Sequence, residues 1–401
     1  MIEVNKKQDC CGCTACAAIC PKDAIIMKED NEGFLYPTVD KENCIDCGAC
    51  ERVCPIIHTA KEKPFEQAAY IVQNKDQKIL RESTAGGAFT AIAKYVLHNN
   101  GVVFGVELGT DLMAHHIAVE TENDLYRFRN SKYVQSSVWG GGTHRQIKSF
   151  LEQGRFVCFS GTPCQIEGLK NFLKKNYDNL ITVDVVCRAV PSPLIFRKYV
   201  EYQKKVLSDN IKTVRFRDKH YGYKYSTMNV ITDRNHGNYH QGVESDPWLR
   251  AFFSNICDRP SCHSCHFRKQ YRVSDFTIWD CFNVGRFSKE LDNDKGATRV
   301  LVHTEKGREI FNAIKDDFSY IEIAPEAAVA GAKEMKESVA PNEKRESFFK
   351  DANRMSGEEL FNKYFPETFK VKAEHSIRLA CYKLGIYSVA KKLYVRLTHK
   401  Y

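Results

Sequence analysis

No apolar run in the chain approaches the roughly 20 residues that a bilayer span needs, so a membrane-spanning protein is not expected. The N-terminus, MIEVNKKQDCCGC, lacks the apolar core of a secretory signal, and the expected compartment is the cytoplasm. No G-x-G-x-x-G follows a strand pattern, which argues against a separate Rossmann domain. Positive charge is also scarcer over most of the chain than the net +9 suggests. Residues 370–401 hold eight Lys/Arg against one acid, Glu374, so +7 lies in this tail and the rest is nearly neutral. A nucleic-acid-binding surface is therefore not expected. With 43% hydrophobic and 27% charged residues the composition is that of a globular protein. Its 401 residues allow about two or three domains.

Cysteine is what the chain has in excess, 17 residues in all. Disulfide scaffolds are short and secreted, and this chain is neither, so metal clusters in a reducing compartment fit better. Cys10, Cys13, Cys16 and Cys20 follow C-x2-C-x2-C-x3-C with Pro21 next. Cys44, Cys47, Cys50 and Cys54 repeat the run, with Pro55 next. Two-cluster bacterial-type ferredoxins carry this run twice, the fourth Cys of each ligating the other cluster. The spacing predicts one [4Fe–4S] cluster on Cys10, Cys13, Cys16 and Cys54 and another on Cys44, Cys47, Cys50 and Cys20. Paired zinc knuckles are the alternative, but zinc sites usually separate two CxxC pairs and include His. Cys11 is left without a role. Residues 60–65, AKEKPF, read as a linker.

Beyond the linker, strand and helix patterns alternate. Strands are predicted at 68–74, 102–108, in IKTVRFRD, in SDFTIWD and in TRVLVHT, and strand–turn–helix units at 155–175 and 180–206. The fold class is α/β, or α+β, with at least one parallel pair of strands. Cys164 and Cys187 each fall just past an apolar strand. If those strands are parallel neighbours, both thiols emerge at the edge where open α/β sheets bind ligands. Cys262 and Cys265 add a CxxC pair. By spacing alone these four allow a third [4Fe–4S] cluster, a zinc site or unrelated free thiols, and Cys257 and Cys281 are near enough in sequence to serve as substitute ligands. Gly86-Gly87 before a helix permits close backbone approach to a pyrophosphate at a helix N-terminus, although a plain turn reads the same way. His263, His266, Asp275 and Asp280 lie near the CxxC and are read as surface or structural residues.

The motifs STAGGAFTAI, NSKYVQS, FSGTPCQIEGLK, VVCRAVPSP, SCHSCHFR with SDFTIWD, and DNDKGATRVLVHTEKG, in this order, resemble the beta-subunit family of coenzyme F420 (deazaflavin) hydrogenases and dehydrogenases, here fused to an N-terminal two-cluster ferredoxin. The resemblance runs from about residue 10 to about residue 315. It implies a third cluster on Cys164, Cys187, Cys262 and Cys265. It also implies FAD held by Ser83, Thr84, Gly86, Gly87, Ser131, Lys132 and Tyr133, with Lys132 neutralising phosphate charge. The sequence departs from the family at Arg188, where bacterial members commonly have His, and at Cys281, where an aromatic is common. Arg cannot shuttle a proton near neutral pH; a permanent cation beside the cluster or flavin is expected instead.

The expected organisation is a ferredoxin-type domain over residues 1–60, a flavin-loop part of the body over 66–150, a third-cluster part over 151–320, and a helical basic tail over 321–401 broken near Pro341. In the tail, apolar Ile377, Cys381, Leu384, Val389, Leu393 and Leu397 alternate with Lys391, Lys392, Arg396 and Lys400. Such a helix packs on its own domain or lies on an anionic membrane. The expected function is an iron–sulfur flavoprotein oxidoreductase exchanging electrons with a ferredoxin or other redox protein and a small-molecule or coenzyme acceptor. Two alternatives stand beside it: a non-catalytic electron-transfer subunit of a larger complex, and a redox accessory to surface-polysaccharide synthesis held near the inner face of the membrane. Self-association is left open, and no catalytic acid is identified.

Overall fold

The computed structural model describes residues 1–138, 142–234, 239–387, 389, 390 and 393. Leu397, Lys391, Lys392, Arg396 and Lys400 of the tail pattern lie outside the described residues. Thirteen strands are found among the described residues: β1 (Ile25–Glu29), β2 (Leu35–Val39), β3 (Ala68–Asn74), β4 (Val102–Leu108), β5 (Ala114–Val119), β6 (Val157–Gly161), β7 (Leu180–Val185), β8 (Ile211–Asp218), β9 (Thr227–Thr232), β10 (Tyr239–Gln241), β11 (Phe276–Asp280), β12 (Thr298–Val302) and β13 (Phe318–Ile323). Eight form one mixed sheet in the order β13-β3-β12-β11-β7-β6-β4-β5. Its centre is parallel: β4 pairs with β6, β6 with β7, and β7 with β11. Apolar residues on both faces account for this, because only a strand covered on both sides can be apolar throughout. Val102, Val103, Phe104, Val157, Cys158, Phe159, Ile181 and Val183 are all fully buried.

The two strand–turn–helix units form as the sequence predicts. The helix Pro163–Leu173 begins with Pro at its first position and a reciprocal cap between Thr162 and Gln165, and ends where Lys174 turns left-handed at φ 62°. The helix Pro193–Leu207 starts at Ser192, whose hydroxyl accepts from the Ile195 amide at 3.3 Å. β8, predicted as a strand, lies outside the main sheet. It joins β9 and β10 in a separate antiparallel sheet, which shares a core of Phe196, Tyr199, Phe216, Trp248 and Phe361 with the helices at 193–207, 247–253 and 357–364.

The N-terminal segment is bound closely to the body. Arg345 grips Glu32 with both nitrogens, at 3.0 and 2.6 Å. The residues expected to form a linker are pinned: the Ala60 amide donates to Glu167 at 3.1 Å, and Glu62 accepts from the Gln270 and Tyr271 amides at 2.8 and 3.0 Å. Lys269 closes the junction by pairing with Glu167 in a site shut off from water.

The tail helix Phe369–Lys383 docks through its polar side. His375 reaches the buried carboxylate of Glu244 at 2.9 Å, and Arg378 stands 3.8 Å from it. Burial pushes the Glu244 carboxyl up, but the His375 contact and the Arg378 charge outweigh it and hold it below its ordinary value. The apolar positions face away, with Ile377 63%, Leu384 72% and Val389 61% exposed. The helix thus packs on its own domain without burying its apolar stripe.

Three buried histidines stay neutral in the fold: burial lowers His116 to about 4 and His144 and His303 to about 3. Each takes up a proton on unfolding below its ordinary value near 6.5, so stability falls as pH drops through that value. We expect urea denaturation between about pH 6.5 and about pH 5.5 to show a slope approaching about 1.4 kcal/mol per pH unit for each histidine. His144, whose ring nitrogens have no hydrogen-bond partner among the described residues, is the cleanest test: His144→Leu should flatten the profile by one such contribution.

Candidate functional site

The two N-terminal cysteine runs repeat in backbone as well as in sequence. Left-handed residues at Gly12 and Thr14 (φ 75° and 64°) precede the short helix Ala15–Ile19, and Asp46 and Gly48 (φ 46° and 66°) precede the helix Ala49–Arg52. Non-glycine residues such as Thr14 and Asp46 adopt this conformation at a cost, and left-handed steps of this kind are the backbone from which anion-binding nests are made. Cys20 joins Cys44, Cys47 and Cys50 around one small cavity, with Met1, Ile25 and Val39 in its walls. The Ala24 amide donates to the Cys20 sulfur and the Ile2 amide to the Cys50 sulfur, each at 3.3 Å. Cys10, Cys13, Cys16 and Cys54 gather alongside. Burial first, then neighbouring Cys10 and Cys54, push the Cys16 thiol up. Four such thiols cannot ionise together without positive charge among them, which iron would supply.

β6 and β7 are parallel neighbours, and Cys164 and Cys187 leave their carboxyl ends side by side. With Cys262 and Cys265 they line a second cavity, together with Arg268, Arg272 and Glu334. The Val190 amide donates to the Cys262 sulfur at 3.3 Å. Among the described residues no three His, Cys, Asp or Glu side chains converge tightly enough for a single metal ion; thiolates on the corners of a cubane stand further apart than those of a zinc tetrahedron. Cys257 and Cys281 do not line this cavity. Cys257 is buried in the core around Trp248, and Cys281 packs with Ile71 and Val284.

Arg188 is not the uncompensated cation expected beside the thiols. It turns to Asn255 at 2.9 Å and to Glu334 at 3.4 Å, over the Phe253 ring. The cavity's cations are Arg268, which binds the carbonyls of Cys187, Arg188 and Glu334, and Arg272, which is paired with Asp184 at 3.0 Å. Cys11, unassigned from sequence, stands in the same cavity wall, near both Cys13 and Cys164. Its signal was its burial between two cysteine runs, which spacing cannot express.

The residues singled out for flavin do meet. Thr84 and Ser131 share a hydroxyl contact at 3.0 Å, and the Ser131 amide donates to Thr84 at 2.7 Å. The glycines, however, serve the protein's own packing. A Cβ on Gly86 would strike the Val72 carbonyl and the Thr298 amide, and one on Gly87 would press Ile79 and Asn74. The Lys132 ammonium is taken up by the carbonyls of Arg127 and Arg129 at 2.9 and 3.0 Å, and burial, with Arg215 nearby, lowers it to about 7. Further cations come from β8 and its exit, where Arg215, Arg217 and Lys219 alternate. The Lys219 ammonium, held by the carbonyls of Leu80, Ala85 and Lys295, is lowered by burial to about 7 as Lys132 is, so the two arginines are the firmer pair. Arg217 reaches Tyr133 at 3.2 Å and Asp280 at 3.4 Å, and Tyr223 donates to Asp280 at 2.9 Å. Asp280 is therefore part of this network. Asp275 is structural, accepting from Thr182 and Thr304; His263 meets the Val339 carbonyl and His266 meets Thr59.

A mixed α/β frame carrying two gathered cysteine groups at its N-terminus, one of them reaching the surface at Cys47, defines an iron–sulfur electron-transfer protein. Residues 9–56 match the model of the 4Fe-4S dicluster domain, and residues 154–328 match that of the C terminus of the coenzyme F420 hydrogenase/dehydrogenase beta subunit. The two matches cover separate parts of the chain, the first sixty residues and the later body. It is similar to the F420-dependent formate dehydrogenase 1 subunit beta of Methanococcus maripaludis, 30% identical over 131 residues, or 31% of this chain and 32% of that protein. The F420-dependent formate dehydrogenase subunit beta of Methanocaldococcus jannaschii is 24% identical over 268 residues, or 65% of this chain and 62% of that protein. The chain thus spans less than two thirds of either relative. Among solved structures, a chain of the F420-reducing [NiFe] hydrogenase complex from Methanosarcina barkeri superposes with a TM-score of 0.43 at 18% identity, over 76% of this chain and 94% of that one.

The helix Pro163–Leu173 touches both cysteine groups. Cys164 begins it, and Gly168 lies so close to Cys13 that a Cβ would sit 2.8 Å from the Cys13 Cβ and 2.9 Å from its sulfur. Gly→Ala inside a helix ordinarily stabilises by about 1 kcal/mol. Here Gly168→Ala is expected to destabilise by about 1 kcal/mol or more through overpacking and to lower the iron bound on anaerobic purification. Thermal denaturation and iron assay check both.

Proposed function

We propose that this protein is an iron–sulfur flavoprotein oxidoreductase subunit that passes electrons between a ferredoxin-like partner and a substrate or deazaflavin-type coenzyme. The observation that carries the reading is a continuous succession of sites. Cys47 is exposed at one end. Cys50 lies near Cys16 and Cys54, Cys11 lies near both Cys13 and Cys164, and Cys262 packs in the same small core as Tyr133. Clusters would be held by Cys20, Cys44, Cys47 and Cys50; by Cys10, Cys13, Cys16 and Cys54; and by Cys164, Cys187, Cys262 and Cys265. FAD, when bound, supplies the junction between one-electron and two-electron chemistry. Arg215 and Arg217 would give its pyrophosphate cations, Thr84 and Ser131 would give it hydroxyls, and Tyr133 sits on the side toward Cys262. Action within a larger complex, as the names of the relatives suggest, fits the exposed Cys47 end.

Anaerobic purification with iron, sulfide and flavin assays tests this reading. We expect about twelve irons and one FAD per chain. About eight irons would remove the third cluster, and an absence of flavin would leave an electron-transfer subunit without its own two-electron chemistry.

The exposed apolar side of the tail supports a second feature, contact with an anionic membrane surface. Ile377, Leu384, Ile386 and Val389 lie open beside a segment rich in Lys and Arg. The full chain is expected to sediment with phosphatidylserine vesicles, and a chain ending before Lys370 is expected to stay in solution. Equal soluble fractions would remove the membrane contact.

A further inference from the structure

We propose that Arg259 sets the reduction potential of the cluster on Cys10, Cys13, Cys16 and Cys54, raising it above that of the exposed cluster on Cys20, Cys44, Cys47 and Cys50, and thereby directs electrons inward. This rests on the cluster reading above. Arg259 is fully buried, at 0% exposure. Its Nε donates to the Cys10 carbonyl at 2.8 Å, one terminal nitrogen to Gln135 at 3.2 Å, and the other to the Leu35 carbonyl at 2.9 Å and the Cys10 sulfur at 3.5 Å. The Tyr36 and Phe34 rings cover its planar group, 4.4 and 5.3 Å from the guanidinium carbon.

Every one of these partners is neutral or a thiol. A buried cation needs a counter-charge, and no carboxylate among the described residues bonds to this one. Asp258, its neighbour in the chain, has both oxygens without a hydrogen-bond partner among the described residues. The ionisable groups facing Arg259 are Cys10, then Tyr36, Cys11 and Cys262, and burial keeps the Tyr36 phenol protonated. A [4Fe–4S] cluster on four thiolates carries net negative charge that grows by one on each one-electron reduction. Such a cluster would be the missing counter-charge, and a fixed cation stabilises its reduced form more than its oxidised form. In a medium that excludes water this effect is not screened.

Among the described residues, the other N-terminal site has no fully buried cation. Of the cations around it among the described residues, Arg145 donates to the Cys20 carbonyl at 3.2 Å but is 42% exposed and paired with Asp23. Lys22 and Arg52 are exposed to solvent, and the amino group of Met1 is paired with Asp46 at 2.9 Å, so salt and water screen all four. Gly12 fits the arrangement. Its φ of +75° folds the loop onto the guanidinium, and a Cβ there would lie 3.0 Å from an Arg259 nitrogen.

The test is an EPR-monitored redox titration of the full-length, anaerobically reconstituted chain, with Cys16→Ala identifying the signal of the first cluster by its loss. Arg259→Met is expected to lower that cluster's potential by at least a tenfold change in its one-electron equilibrium, about 59 mV, while the exposed cluster stays in place. Arg259→Lys, which keeps the charge, should hold most of the wild-type value. An unchanged potential in Arg259→Met at wild-type iron content overturns the proposal, as does an equal shift in both clusters. If Arg259→Met loses its iron, the lysine variant decides: iron and potential retained support the electrostatic role, and iron lost despite the retained charge overturns it. A wild-type chain lacking the N-terminal cluster signals altogether is a separate failure, that of the cluster reading itself.

Discussion

Thiolates buried together repel one another and must be met by positive charge, and much of this molecule answers that requirement. Cysteines of the two N-terminal runs crowd around two sites, and backbone amides at Ile2, Ala24 and Val190 aim at sulfur where solvent is excluded. Left-handed residues before the two short N-terminal helices turn further amides inward. Arginines that would be costly to bury elsewhere stand against cysteines here: Arg259 beside Cys10, and Arg268 beside Cys187. The central parallel strands serve the same end by releasing Cys164 and Cys187 at one edge of the sheet.

The connection between the ferredoxin-like segment and the body follows from that chemistry. Where cysteine groups must come near one another, the polypeptide between them has to be stiff. The helix Pro163–Leu173 meets this by carrying Cys164 at its start and seating Gly168 against Cys13 one turn later. Cys11 fills the remaining gap. The segment after residue 60, although charged and proline-containing, lies fastened to Glu167 and Lys269. The two parts behave as one block around their shared thiols.

Much of the frame was legible in the sequence, because its signals are local. Apolar runs of strand length, Pro after a capping residue, and paired C-x2-C spacings each act over a few residues, and from them the strands β3, β4, β6 and β7, their helices and the cysteine groups could be placed. What was not legible depends on contacts between distant residues. Gly86 looks like a phosphate turn, but its bareness is demanded by Val72 and Thr298 across the sheet. Arg188 reads as a cation beside the thiols until Glu334, 146 residues away, turns it aside. The strand at 211–218 has the right pattern but no local sign of which sheet receives it. In the tail, periodicity marks an apolar stripe correctly, whereas the side that docks is chosen by one buried carboxylate, Glu244.

The contact between Cys10 and Arg259 spans 249 residues of chain. The cysteine runs are synthesised first, yet the guanidinium, the cover from Gly168 and the grip of Arg345 on Glu32 come much later. An iron centre assembled early would wait at the surface, open to oxygen and lacking its buried counter-charge, until more than half of the polypeptide had followed. Maturation of this protein is thus a matter of timing, with Gly168, Arg259 and Arg345, spread over the later chain, sealing what the first sixty residues begin.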